Sequence, residues 1–324
     1  MKATAKAHPI QGLVKYHGMR DPELRLPYHD SISVCTAPSA TTTTVAFEHD
    51  APSDTYVIDG EAVEGRGAER IRAVLDHVRD LAGTDGAVRM ESVNSFRSNV
   101  GFGSSSSGFA ALAMAAADAV GLDLTRPEIS TIARRGSSSA ARAVTGAFSQ
   151  LDAGLNDEDC RSHRIRSDLE DDLRIVAALV PAYKETEQAH AEAADSHMFQ
   201  ARLAHIHGQI AEMRDALRAA DFDRTFELAE HDSLSLAATT MTGPAGWVYW
   251  QPRTIAVFNA VRELRSEEGI PAYFSTDTGA SVYVNTTAEH VDRVEAAVGD
   301  CGVETSVWNV GGPARVLGES EALF

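Results

Sequence analysis

The sequence predicts an α+β fold in two domains, and three observations lead there. Strand-like and helix-like stretches are mixed in both halves of the chain, with no internal repeat. The 324 residues are enough for two domains. A charge-rich stretch over residues 156–170 has the composition of a linker, which places the units at 1–168 and 169–324.

The elements follow in order. Ser31-Ile32-Ser33-Val34 alternates polar and apolar, Thr41 to Phe47 is β-branched, and Asp54 to Asp59 runs into the hairpin signal Asp59-Gly60. Gly67 to Ala82 predicts an amphipathic helix with Ile71, Val74, Leu75, Val78 and Leu81 on one stripe. Val88 to Val93 alternates again. Thr125-Arg126-Pro127-Glu128 is a capping box that opens a helix through Ile129, Ile132 and Ala133, ending at Gly136. Gly146 to Leu151 and Arg174 to Val180 read as strands. Helices are expected over about 189–219 and 223–238. Another carries Ile255, Phe258, Val261 and Leu264 and ends at Gly269. Residues 271–275 and 281–284 read as strands around the tight loop 276–280. Thr286 and Glu289 are expected to cap a last helix with Val291, Val294 and Val298 inward, before a strand over 302–308.

One stretch stands apart. Gly101-Phe102-Gly103-Ser104-Ser105-Ser106-Ser107-Gly108 follows a strand and opens a helix whose Phe109, Leu112, Ala116 and Val120 mark one inward face. A helix entrance offers unpaired N–H groups and the positive end of the dipole, and glycines let a phosphate approach the backbone. Three familiar loops do not fit. A Walker A loop needs Lys where Phe109 stands, a dinucleotide fingerprint needs a third Gly at Ser106, and no serine is framed as Gly-x-Ser-x-Gly. What remains is a phosphate cradle of another class, or a Ser-rich cap on a buried helix.

The formal net charge is −18, and only four of the 29 basic residues are lysines. Such a surface suggests a halophilic protein kept soluble in high salt, the alternative being simply an acidic cytosolic protein, and either way it argues against a nucleic-acid partner. Cys35, Cys160 and Cys301 are isolated, forming neither a disulfide framework nor a metal motif. His205 and His207 fall on different helix faces, and His190 and His197 lack a partner pair, so zinc is not expected. Trp247, Tyr249 and Trp250 are expected in a core or domain interface. No signal peptide or membrane span is read, which predicts a cytoplasmic protein.

Lys15, Arg142 and Asp277 are the remaining candidates for chemistry. Each alone reads as an ordinary solvated charge, a helix-end cap or an Asx turn. Together with a phosphate loop they compose a phosphoryl-transfer set.

In their order, these segments resemble the mevalonate decarboxylases of the GHMP kinase superfamily over nearly the whole chain. Leu13 to Asp21 is similar to the family's Lys-Tyr-Trp-Gly-Lys-Arg segment, and Leu26 to Ser33 to the next one. Gly101 to Leu112 resembles its phosphate loop, Ile129 to Arg142 its Ser-Ala-Cys-Arg region, and Asp277 falls at its catalytic Asp. The resemblance implies a two-domain GHMP fold with the site in the cleft, working as a homodimer. It implies ATP-dependent decarboxylation of a phosphorylated mevalonate, a small-molecule substrate. Asp277 would take or orient the 3-hydroxyl proton, and Lys15 would hold Asp277 ionised and neutralise the transferring phosphoryl. Arg142 would clamp the carboxylate, with Ser137 and Ser139 alongside. Tyr16 and Arg20 would meet the substrate. Gly101, Gly103, Ser104, Ser105 and Ser106 would cradle ATP, with Ser105 toward Mg2+.

Two positions depart from the family pattern. Arg97 replaces a Pro of the phosphate loop. Met19 stands where diphosphate-using relatives carry Lys, which removes a cation and points to mevalonate 5-phosphate, giving isopentenyl phosphate. The rival readings are decarboxylation of mevalonate 5-diphosphate, a kinase that stops at the phosphorylated alcohol, and a GHMP-fold binding protein without catalysis.

Overall fold

The computed structural model describes residues 1–48, 51–96, 104–182 and 190–324. Arg97, Gly101 and Gly103 lie outside the described residues. Two sheets organise the chain. The first has the order β16-β1-β6-β9-β7-β8, built from Lys2–Ala7 (β1), Thr41–Glu48 (β6), Thr55–Ile58 (β7), Glu61–Ala62 (β8), Ala87–Asn94 (β9) and Arg315–Val316 (β16). Asp59 and Gly60 both have positive φ, so the predicted turn joins β7 to β8. Strands β7 and β9 run parallel, and α1 (Gly65–Ala82) makes the crossover between them.

The second sheet has the order β11-β10-β5-β15-β12-β14-β13, with β2 also paired to β5. The first half of the chain gives it Ile10–Val14 (β2), Ser31–Ala37 (β5), Phe148–Leu151 (β10) and Ser162–Arg164 (β11). The second half gives it Leu173–Leu179 (β12), Tyr273–Ser275 (β13), Val282–Thr287 (β14) and Glu304–Val310 (β15). β15 lies beside β5 through Asn309↔Ala37 and Val310↔Thr36, which ties the two halves of the chain together. A short pair, β3 (Met19–Asp21) and β4 (Leu26–Pro27), stands apart.

Among the described residues three large cores bury the apolar faces, with a small fourth around Leu26, Ala141, Leu151 and Cys160. The first packs α1, α2 (Ser104–Ala119), α3 (Arg126–Gly136) and α4 (Ala140–Thr145) onto the first sheet. The second lies between the second sheet and α5 (Phe199–Arg218) and α6 (Phe222–Met241). The third fills the opposite face with α7 (Pro252–Glu268) and α8 (Val291–Gly299).

Several local expectations are corrected. α2 is buried on almost every side, because its Ala110, Ala111, Ala113, Ala115 and Ala116 let neighbours close in all round. Leu81 is 49% exposed and Ile255 41% exposed, so both sit on the solvent edge of their stripes. In α7 Val257 joins Phe258, Val261 and Leu264 on the buried face in place of Ile255. Thr286 lies buried in β14, and α8 is preceded by His290, whose ring bonds Thr287 Oγ1 at 2.8 Å. The stretch 156–170 is no free linker. It contains β11, paired to β10, and the buried Leu169.

Candidate active site

The site forms where β2 meets the β13–β14 loop. β2 carries a register shift between Gly12 and Val14, and Lys15 follows directly. Lys15 is buried. Its Nζ donates to Ser233 Oγ and Ser275 Oγ, each at 2.9 Å, and to the Ala229 carbonyl at 3.3 Å. An ammonium has three N–H groups, so neutral oxygens engage all of them. Asp232 Oδ2 stands 3.8 Å from Nζ. Burial pushes the Lys15 pKa below its ordinary value, while Asp232 and then Asp277 push it back up.

Asp277 projects from the loop between β13 and β14 and is half-buried. It approaches Lys15 closely because Gly12 has no side chain. A Cβ on Gly12 would lie 2.6 Å from Lys15 Cγ and 2.8 Å from Asp277 Oδ1. Tyr283 stands beside it; burial first, then the Asp277 charge, hold its phenol protonated.

Arg142 comes from α4 on the other side. It is 2% exposed, and its Nε and NH1 have no hydrogen-bond partner among the described residues. Leaving buried donors unpaired costs about 1–3 kcal/mol each, so the guanidinium is set to receive a ligand acceptor. Its Cζ lies 5.5 Å from the Tyr16 ring centroid. Burial lowers the Arg142 pKa, and the nearby Tyr16 and Asp277 oppose that. Tyr16 stacks on His190 with centroids 4.9 Å apart, and the Gly18 amide donates to His190 Nδ1 at 3.3 Å. Ser137 and Ser139 hydroxyls share a bond of 2.8 Å just before α4.

The other predicted residues divide. Arg20 turns away, donating to the carbonyls of Ala153 at 3.0 Å and Leu155 at 3.2 Å. Met19, its neighbour on β3, is half-buried opposite Pro27. Ser105 is exposed in the first turn of α2, where no acidic residue stands, so that end suits an anion. Ser106 is buried, and its hydroxyl accepts from the Ile10 amide at 3.2 Å, anchoring α2 to β2. Trp247 and Tyr249, stacked at 6.0 Å, line a crevice with Trp250, Thr278 and Asp277.

Sequence reasoning missed Gly12, Asp232, Ser233 and Arg202. One signal was present. Ala229, Asp232, Ser233 and Leu236 share a helix face, and polar residues on a buried stripe need a partner. Among the described residues no group of three or more His, Cys, Asp or Glu could hold a metal ion. No helix among them is long and apolar enough to cross a membrane.

The family described as diphosphomevalonate decarboxylase-like N-terminal domain matches residues 7–162. A phosphomevalonate decarboxylase from Haloferax volcanii is 80% identical over 324 residues, covering 100% of both chains. A mevalonate diphosphate decarboxylase from Staphylococcus aureus superposes with a TM-score of 0.93 at 28% identity, covering 98% of each chain. A third, in complex with MVAPP, AMPPCP and magnesium, gives 0.92 at 27% identity, covering 98% of this chain and 99% of the other. That neighbour thus holds AMPPCP with magnesium on the same fold. By its fold and by full-length identity, the chain belongs to the phosphomevalonate and diphosphomevalonate decarboxylase family of the GHMP kinase superfamily.

Proposed function

We propose that the protein decarboxylates mevalonate 5-phosphate to isopentenyl phosphate, using ATP and releasing ADP, phosphate and CO2. The observation that carries this reading is the buried, unpaired face of Arg142 next to Asp277. A carboxylate and a hydroxyl on one small substrate would meet these two groups together. Identity of 80% to a phosphomevalonate decarboxylase supports the choice of substrate. So does Met19, which offers no charge for a second phosphate.

The roles follow from chemistry. ATP with Mg2+ would supply the phosphoryl group that turns the tertiary 3-hydroxyl into a leaving group. Gly101, Gly103, Ser104 and Ser105 would hold it at the entrance of α2, with Ser106 fixing that helix to β2. Asp277 accepts the hydroxyl proton. Lys15 keeps Asp277 ionised and offsets the negative charge that gathers there. Arg142 holds the carboxylate, with Ser137, Ser139 and Tyr16 around it, and orients the C1–C2 bond. When the C3–O bond breaks, phosphate leaves with its electron pair. The C1–C2 pair then forms the C2–C3 double bond and CO2 departs. Arg20, bonded to loop carbonyls, would reach the substrate phosphate only by releasing them.

We also read the enzyme as halophilic, which its net charge of −18 supports. For a cytoplasmic homodimer the support is the family resemblance and the sequence reading.

The test is product analysis with ATP, Mg2+ and mevalonate 5-phosphate. Isopentenyl phosphate with equal amounts of CO2 and ADP is expected. ADP with a phosphorylated hydroxy acid and no CO2 would make the protein a kinase instead. No ADP and no CO2 would make it a binding protein.

A further inference from the structure

Past Val14 the β2 ladder ends, and among the described residues Lys15 has no strand partner for its N–H or its C=O. Two side chains from the other half of the chain take both places. Asp232 on α6 accepts the Lys15 amide through Oδ2 at 2.8 Å. Arg202 on α5 donates from NH2 to the Lys15 carbonyl at 2.6 Å and to Asp232 Oδ1 at 2.9 Å. Its NH1 is fixed by Ser235 Oγ at 2.9 Å. The side chains of Arg202 and Asp232 are 1% and 0% exposed.

A buried ion pair is a poor source of stability, because desolvation offsets the attraction. This one makes sense as a device for Lys15. The carboxylate 3.8 Å from the ammonium is that of Asp232. Standing alone, Asp232 would draw the Lys15 charge away from Asp277. Arg202 cancels that charge and holds Asp232 Oδ1, while the Lys15 amide holds Oδ2.

We propose that Arg202 and Asp232 are positioning residues that grip both peptide groups of Lys15 and cancel each other's charge, so that the charge of the hydrogen-bonded ammonium acts on Asp277. The part that concerns catalysis rests on the function proposed above. The geometric part does not.

The chain has only four lysines, Lys2, Lys6, Lys15 and Lys184, so carbon-13 lysine labelling gives a readable NMR titration of the full-length protein. The Lys15 signal is identified by its loss in Lys15→Met. The charged groups facing Lys15 are Asp232 from α6, Asp277 from the β13–β14 loop and Arg202 from α5. Arg202→Gln removes a cation and raises the Lys15 midpoint, by roughly one pH unit. Asp232→Asn removes an anion and lowers it. Turnover of both falls about tenfold or more, with the KM for ATP little changed, and Arg202→Lys restores part of it. A merely structural pair would not move the midpoint in opposite directions. Midpoints that stay put, or move the same way, overturn the proposal. If a single variant does not fold, the double variant Arg202→Gln with Asp232→Asn removes both buried charges. It should keep the midpoint near that of the wild type while turnover falls; wild-type turnover would overturn the proposal. The titration needs no substrate, so its result is separate from failure of the functional reading.

Discussion

Lys15 and Asp277 meet across Gly12: a methyl group there would stand 2.6 Å from Lys15 Cγ and 2.8 Å from Asp277 Oδ1. Neither neighbour can retreat cheaply. Lys15 is fixed at its ammonium and at both peptide groups, and Asp277 has a short side chain. Gly12→Ala should therefore fold and still bind ATP, but lose roughly 10²-fold in kcat through displacement of about an ångström. Circular dichroism and steady-state kinetics check this. A folded Gly12→Ala with wild-type kcat would mean that the two side chains need not be adjacent.

Asp277→Asn keeps the size and removes the base. A fall in turnover of roughly 10²–10⁴-fold is expected, the range for losing a positioned proton acceptor. The melting temperature should hardly change, since Asp277 is half-buried at a loop. Near-normal turnover in the folded variant would take Asp277 out of the chemistry.

For Arg142 the prediction separates the two substrates. A lysine cannot reproduce the bidentate fork of a guanidinium. Arg142→Lys should raise the KM for the mevalonate phosphate and lower kcat, with ATP affinity nearly unchanged. Collapse of ATP affinity instead would assign Arg142 to the nucleotide.

His29 makes stability depend on pH. Burial first, then Arg202, lowers its pKa to about 4, against the bond from Nδ1 to the Asp30 carbonyl at 2.7 Å. The unfolded chain therefore takes up this proton near pH 6.5, and the folded protein only near pH 4. Stability from this group is complete above pH 6.5 and is lost as pH falls toward 4, a drop of ~3 kcal/mol. His29→Gln should flatten that drop in thermal melts taken between these two pH values. A variant that loses as much stability on acidification as the wild type would place the acid sensitivity elsewhere, with the buried His17 the next candidate.

Much of this was legible in the sequence. Local patterning placed β5, β6, β9, α1, α3 and the β13–β14 hairpin, because each carries its own period or turn signal. Leu81 and Ile255 show the limit: periodicity defines a stripe, but neighbours decide how wide the buried part is. The 156–170 stretch looked like a linker because its charges hide the short strand β11. Lys15, Arg142 and Asp277 could be named from motif order. Their support could not. Asp232 and Arg202 are ordinary charged residues on polar-looking helices, and only the packing of α5 and α6 against β2 reveals what they hold. Gly12 was equally silent, since a glycine in a strand announces a close approach without saying to what.

The most direct test of the central claim is the ratio of kcat/KM for mevalonate 5-phosphate to that for mevalonate 5-diphosphate, measured on the wild-type protein. Met19 offers no cation, and Arg20 is engaged by the Ala153 and Leu155 carbonyls. The account predicts a clear preference for the monophosphate. It also predicts that Met19→Lys shifts the ratio toward the diphosphate, about tenfold for a new pair contributing about 1.4 kcal/mol. A wild-type preference for the diphosphate would contradict the account.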